Sequence, residues 1–201
     1  MRSFIAAELP AAALRQLTAT QHQLVQQLRA SQLDRCVRWT PASNIHLTLR
    51  FLGDIDESQC ATLVQGLPAV AARYSPLAVR VDGLGCFPNT ARPSVIWCGL
   101  QGDLRRLVEM QQAVDSVVRS AAIAPDEKGF KPHLTIGRTQ RGATGAQLRA
   151  VGAVVADYAA LYGASPVDES TSIDELLLLR SELTPSGPVY TRLGVFPLVG
   201  G

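Results

Sequence analysis

His46-Leu47-Thr48-Leu49 returns, with one aliphatic change, as His133-Leu134-Thr135-Ile136. The chain has three histidines, and two of them carry this tail. At ordinary residue frequencies a given histidine does so roughly once in several hundred chances, so accidental repetition explains the pair poorly. Both copies fall in stretches that read as strands, 45–52 and 133–139, the first closed by Gly53-Asp54 and the second introduced by Pro132. Alternate side chains of a strand share a face. His46 and Thr48 therefore project together, about 6.6 Å apart, while Leu47 and Leu49 point into a core. His133 and Thr135 stand to Leu134 and Ile136 in the same way. Each strand offers an imidazole and a hydroxyl to one side.

Outward from these strands the chain alternates between helical and extended patterns. Residues 4–9 read as a short buried strand closed by Pro10. Leu14, Leu17, Leu24, Val25 and Leu28 keep helical spacing from Ala11 to about Ala30. Asp56 with Gln59 forms a capping box that opens a helix bearing Cys60, Leu63, Val64 and Leu67. Residues 77–87 and 94–100 read as strands around a Pro-Asn-Thr-Ala-Arg-Pro loop, and Leu104 to Ala121 as an amphipathic helix stopped before Pro125. Thr144 with Gln147 caps a helix carrying Leu148, Val151, Val155, Tyr158 and Tyr162. Residues 176–183 and 189–193 form a hairpin around Pro185-Ser186-Gly187-Pro188. No glycine-rich phosphate loop follows any strand, and several strands are sequence neighbours, which favours antiparallel pairing over a parallel sheet. The pattern implies an α+β fold of two similar lobes, with residues 1–201 as a single domain.

Composition narrows the class. With 201 residues the chain is long enough to bury roughly 70% of its unfolded surface without a disulfide or metal staple. At 47% hydrophobic and 18% charged it is globular. Nineteen basic against 17 acidic side chains leave a net charge of +2, so affinity for a polyanion must come from local placement. No apolar run approaches the ~18 residues of a membrane span, and Glu8 and Pro10 interrupt the start before a signal-peptide core forms. A cytoplasmic protein is expected. Cys36, Cys60, Cys86 and Cys98 lack metal-ligand spacing and read as thiols in a reducing compartment.

Two imidazoles with ordinary pKa values near 6.5 can divide labour near neutral pH, one as base and one as acid. Two threonine hydroxyls can donate to the non-bridging oxygens of a phosphate held between them. Such a cleft suits opening of a cyclic phosphodiester by in-line attack of water, with no metal and no cofactor.

These residues resemble the two-histidine phosphoesterase superfamily, which carries two H-x-[TS]-x motifs, and within it the RNA 2′,3′-cyclic phosphodiesterase family, also called 2′-5′ RNA ligase. The likeness runs through Arg2-Ser3-Phe4-Ile5-Ala6, Trp39-Thr40-Pro41, the segment His46 to Gly53, Phe130-Lys131-Pro132-His133, and Ser181, Leu183, Gly187, Tyr190, Leu193 and Phe196-Pro197-Leu198. It implies a bilobal fold of mainly antiparallel sheet, with outer helices and a central cleft to which each lobe brings one motif. It further implies His46 as proton donor, His133 as proton acceptor, and hydrolysis of a 2′,3′-cyclic phosphate to a 2′-phosphate, with the reverse 2′-5′ joining associated with the same site. Thr48 and Thr135 would bind substrate, as would Phe51 and Arg138, each five positions after a motif histidine. A strict pleat puts an offset of five on the opposite face; a bulge after Leu49 and Ile136, where Gly137 sits, removes the conflict.

The implied partners are RNA with cyclic-phosphate ends or small cyclic nucleotides, without membrane or obligate protein partner, for a monomeric enzyme. Two other readings stay open: a nucleotide- or RNA-binding module without turnover, and a phosphodiesterase for another cyclic phosphate, such as one on an ADP-ribose derivative. Arg50 shares the parity of His46 and Thr48 and so is expected toward the cleft. Phe87 and Trp97 are expected in the core, His22 on a solvated helix face, and Lys128 and Lys131 as a basic lip or plain surface.

Overall fold

A computed structural model of the chain describes residues 1–126, 129–162, 171–185 and 187–200. Lys128 and Ser186 lie outside the described residues, as does the side chain of Tyr162. Among those described, the strands are β1 (Arg2–Ala7), β2 (Val37–Trp39), β3 (Leu47–Asp54), β4 (Leu77–Phe87), β5 (Val95–Gly102), β6 (Leu134–Thr139), β7 (Thr171–Ile173), β8 (Glu175–Thr184) and β9 (Gly187–Pro197). The helices are α1 (Ala11–Ala30), α2 (Glu57–Ala71), α3 (Leu104–Ser120) and α4 (Gly145–Tyr162). The strands form an antiparallel sheet in the order β7-β4-β5-β6-β3-β1-β8-β9, with β2 also on β6. This is the expected α+β class.

The two halves of that order are the two lobes. β6, β5, β4 and β7 form one, backed by α1 and α4; β3, β1, β8 and β9 form the other, backed by α2 and α3. The lobes interleave in sequence, because α1 precedes the first motif yet packs behind the lobe of the second. They join where β3 meets β6, at the pair Leu47 and Leu134. The helices bury the main core on one face, through Ile5, Leu47, Leu134, Leu176 and Leu178. Phe4, Ala6, Leu177 and Leu179 cluster on the other face with Tyr190 against them. The four-leucine run 176–179 is thus apolar on both faces because both faces of β8 are covered.

Local chemistry sets the boundaries. Both capping boxes form: the Gln59 amide donates to Asp56 Oδ1 at 2.8 Å and the Asp56 amide to Gln59 Oε1 at 3.1 Å. At α4 the Thr144 amide donates to Gln147 Oε1 at 2.8 Å, and the Gln147 amide to Thr144 Oγ1 at 3.2 Å. The first strand runs 2–7 rather than 4–9. The last runs to Pro197 rather than stopping at 193, because β8 pairs with it as far as Glu175 against Pro197. β2 and β7, three residues each, are too short to leave a periodic signal. Among the described residues no helix is long and apolar enough to cross a membrane.

Candidate active site

The seam between the lobes brings the two motifs together. In an antiparallel pair that matches Leu47 to Leu134, one step either way sets His46 opposite Thr135 and Thr48 opposite His133. The leucine pair is thus a local pseudo-twofold centre, with a histidine before it and a threonine after it on each strand. Both histidines sit one residue ahead of their strands, at the point where β3 and β6 part. The four side chains are half-buried, whereas Leu47, Leu49, Leu134 and Ile136 are buried.

The two rings are held alike. His46 Nδ1 lies 2.9 Å from the Asn44 carbonyl and His133 Nδ1 lies 2.7 Å from the Lys131 carbonyl, each two residues upstream. A carbonyl only accepts, so Nδ1 donates in both and Nε2 is left as the working nitrogen.

Each motif strand carries a bulge at the same place. Ile5 pairs with Arg50 and Ala6 with Thr48, which leaves Leu49 extra. Ile96 pairs with Gly137 and Trp97 with Thr135, which leaves Ile136 extra. An inserted residue reverses the parity downstream. Phe51, 60% exposed, thereby turns to the side of His46, and the Phe4 ring lies 4.8 Å from the His46 ring and 6.2 Å from that of Phe51. Arg138 is exposed, and its charge reaches both His46 and Tyr190.

The same bulge overturns the expectation for Arg50. It points to the helix side, 4% exposed, with Nε 3.3 Å from Asp115 and Nη1 3.6 Å from Asp126, and it donates to the Ala124 carbonyl. Its counterpart Gly137 has no side chain because Trp39 and Val37 pack against it; a Cβ would lie 3.1 Å from each. The Ile136 carbonyl, turned out of the ladder, accepts from buried Gln21 Nε2 at 2.7 Å and from the Thr40 amide at 3.0 Å.

Phe87 and Trp97 are corrected too. Ile96 and Cys98 of β5 fill the core, so Trp97 between them takes the other face, opposite Thr135. Phe87 stacks on Trp97 at 5.2 Å and meets His133 edge-on at 4.9 Å. Tyr190 makes the matching edge contact with His46 at 5.3 Å. No local pattern marks Tyr190 as near the site, since β9 brings it there from the far end of the chain. His22 and Lys131 are exposed.

Electrostatics bear on the first imidazole. Burial, against Phe4 and Tyr190, pushes the His46 pKa down from 6.5 to about 4; the Asn44 carbonyl opposes the fall, and the charges of His133 and Arg138 add to it. Burial raises the Tyr190 hydroxyl, against the pull of Arg138 and Arg2. The charges of His133 and Arg138 both reach His46, which places these three side chains in one neighbourhood.

The model of the LigT-like phosphoesterase family matches residues 13–97. The RNA 2′,3′-cyclic phosphodiesterase of Archaeoglobus fulgidus is 33% identical over 162 residues, covering 80% of this chain and 83% of that protein. That of Aquifex aeolicus is 30% identical over 165 residues, 81% and 82% of the two chains. A crystal structure from Thermus thermophilus superposes with a TM-score of 0.77 at 27% identity, over 100% and 99% of the chains. Escherichia coli LigT complexed with 3′-AMP shares the fold, with a TM-score of 0.72 at 21% identity over 98% and 97%. With the paired motifs on one seam and these relatives spanning most of the chain, the protein belongs to the LigT-like phosphoesterases, in the RNA 2′,3′-cyclic phosphodiesterase family.

Proposed function

We propose that the protein opens the 2′,3′-cyclic phosphate at the end of an RNA, or of a small nucleotide, and leaves a 2′-phosphate. The observation that supports this is the seam at Leu47 and Leu134, where the two motifs meet with a histidine before and a threonine after the paired leucine on each strand. A phosphate there takes hydrogen bonds from Thr48 and Thr135, while Arg138 neutralises its charge and Phe51 offers an exposed ring to the RNA. His133 Nε2 removes a proton from water as its oxygen attacks phosphorus. The bond from phosphorus to the 3′ oxygen breaks in line, and His46 Nε2 delivers a proton to that oxygen. His133 ends protonated and His46 neutral, and exchange with solvent resets both.

The low pKa of His46 leaves it neutral in the free protein. The donor role therefore needs something to stabilise the protonated ring, and the substrate supplies it: a phosphodiester anion beside Nε2 favours the imidazolium. With an RNA 5′-hydroxyl in place of water as the attacking group, the same ring opening would form a 2′-5′ linkage. No metal is needed, because both proton transfers are assigned to side chains.

The test is incubation with 2′,3′-cyclic AMP and with a cyclic-phosphate-ended oligonucleotide, each in EDTA. The expected result is a 2′-phosphate product at an undiminished rate. Binding without hydrolysis would make the protein a binding module, and restoration of activity by a divalent ion would overturn the metal-free mechanism.

A further inference from the structure

Arg38 and Arg138 stand directly opposite each other in the antiparallel pair of β2 and β6. Residues so placed share a face, with Cβ atoms about 4.5–5.5 Å apart. That face is turned away from the helices. Val37 lies in the main core, Trp39 packs against it, and a Cβ on Gly137 would meet both side chains. Both arginines are exposed, and among the described residues neither is in a salt bridge. Like charges directly opposite are destabilising, so the fold keeps a pair that works against its own stability.

The pair belongs to a wider segregation of charge. Three stretches of the chain, 35–53, 83–102 and 128–156, contain β2, β5, β6 and both motifs. Together they hold nine of the 19 basic side chains and none of the 17 acidic ones. Among the described residues only Arg50 of these nine is in a salt bridge. A net charge of +2 conceals this placement, which favours a polyanion locally.

Arg138 is near enough to the motifs for its charge to reach His46 and Tyr190. A cyclic phosphate carries one negative charge, which Arg138 answers. The second guanidinium beside it suits a second phosphate, and every nucleotide that precedes an RNA end brings one.

We propose that Arg38 binds the phosphodiester preceding the terminal nucleotide of an RNA strand, so that the site takes a strand end in preference to a free cyclic nucleotide. The inference rests on the phosphodiesterase reading above and narrows its substrate to a strand.

The experiment measures kcat/KM for 2′,3′-cyclic AMP and for a short RNA oligonucleotide ending in a 2′,3′-cyclic phosphate. The proteins are the wild type, Arg38→Ala and Arg38→Lys, between about 50 and 200 mM salt. At the lowest salt Arg38→Ala should lower kcat/KM for the oligonucleotide about fivefold, through KM, the upper scale of one exposed ion pair. Its loss on cyclic AMP should be no more than about a third as large. The slope of log KM against log salt for the oligonucleotide should fall by about 0.7, the share of one phosphate contact on a single strand, and Arg38→Lys should retain it. Removing one of two opposed like charges should leave Tm unchanged or raise it, which a structural role would not. Equal losses on the two substrates, a loss on neither, or an unchanged salt slope overturn the assignment. So does a wild type that prefers cyclic AMP to the oligonucleotide. A wild type that hydrolyses neither overturns the phosphodiesterase reading instead, and oligonucleotide affinity, read by the same salt slope in the wild type and Arg38→Ala, then decides the role of Arg38.

Discussion

β3 and β6 share a tetrapeptide, a carbonyl to hold the histidine and a bulge three residues after it, yet the residues beyond the bulge differ. At the fourth position after the histidine stand Arg50 and Gly137, and at the fifth Phe51 and Arg138. In one strand the bulge is anchored by a buried guanidinium on Asp115 and Asp126; in the other a buried glutamine satisfies the displaced carbonyl of Ile136. His46 is enclosed by Phe4 and Tyr190, whereas His133 has Phe87 edge-on. Backbone symmetry gives the two histidine positions, and unlike side chains surround them. A duplicated frame with unlike fittings suits a reaction whose two ends are water and a ribose oxygen.

The largest expected effects break the shared part. His46→Ala and His133→Ala should each lower kcat/KM at least ~100-fold, the usual scale for a lost general acid or base. A substrate with sulfur in place of the 3′ oxygen has a leaving group that scarcely needs a proton. It should largely restore His46→Ala and leave His133→Ala impaired. Rescue of the other variant would reverse the roles; near-normal turnover of either would remove the two-histidine mechanism.

Next comes the unlike part. Arg50→Ala removes the buried guanidinium from two partly exposed carboxylates and from the Ala124 carbonyl, and should destabilise the protein by about 1–3 kcal/mol. Denaturant unfolding measures this, and a loss below about 1 kcal/mol would mean that the ion pairs contribute little. Thr48→Val and Thr135→Val each remove one charge-assisted hydrogen bond of about 1.5–3 kcal/mol, so kcat/KM should fall roughly 10- to 100-fold. If the lobes act symmetrically on the phosphate the two losses will match, and a strong imbalance would place the phosphate nearer one strand.

The part of the molecule legible in the sequence divides along the same line. The repeated tetrapeptide exposes the shared face of His46, Thr48, His133 and Thr135, since those residues are local and the strand period is two. The four long helices and the antiparallel character are equally visible, through apolar spacing and capping boxes. The bulges are not, because an extra residue in a ladder is defined by the partner strand and leaves no mark in composition. That is why parity sends Arg50 to the wrong side and why Phe51 and Arg138 stand on the cleft side only through the resemblance. Tyr190 reaches His46 because the β8–β9 hairpin pairs with β1, which pairs with β3, and Phe87 and Trp97 reach His133 because β5 pairs with β6. These are tertiary juxtapositions that no window of sequence contains.

The smallest predicted effect tests the enclosure of His46 by Phe4 and Tyr190. His46 has a folded pKa of about 4, below its ordinary 6.5. Above pH 6.5 neither folded nor unfolded protein protonates it, so it adds no pH dependence there. As pH falls below 6.5 the unfolded chain takes up a proton that the folded protein refuses, and stability declines until the folded site protonates near pH 4. Allowing for its partial exposure, the loss at pH 5 is about 1 kcal/mol, or a few degrees in Tm for a chain of this size. His46→Phe keeps the ring and removes the proton. Its Tm should therefore drop less than that of the wild type between pH 7 and pH 5, by roughly 2–4 °C. Equal drops in the two proteins would mean that the His46 ring titrates as freely folded as unfolded, and that the enclosure by Phe4 and Tyr190 does not set its charge.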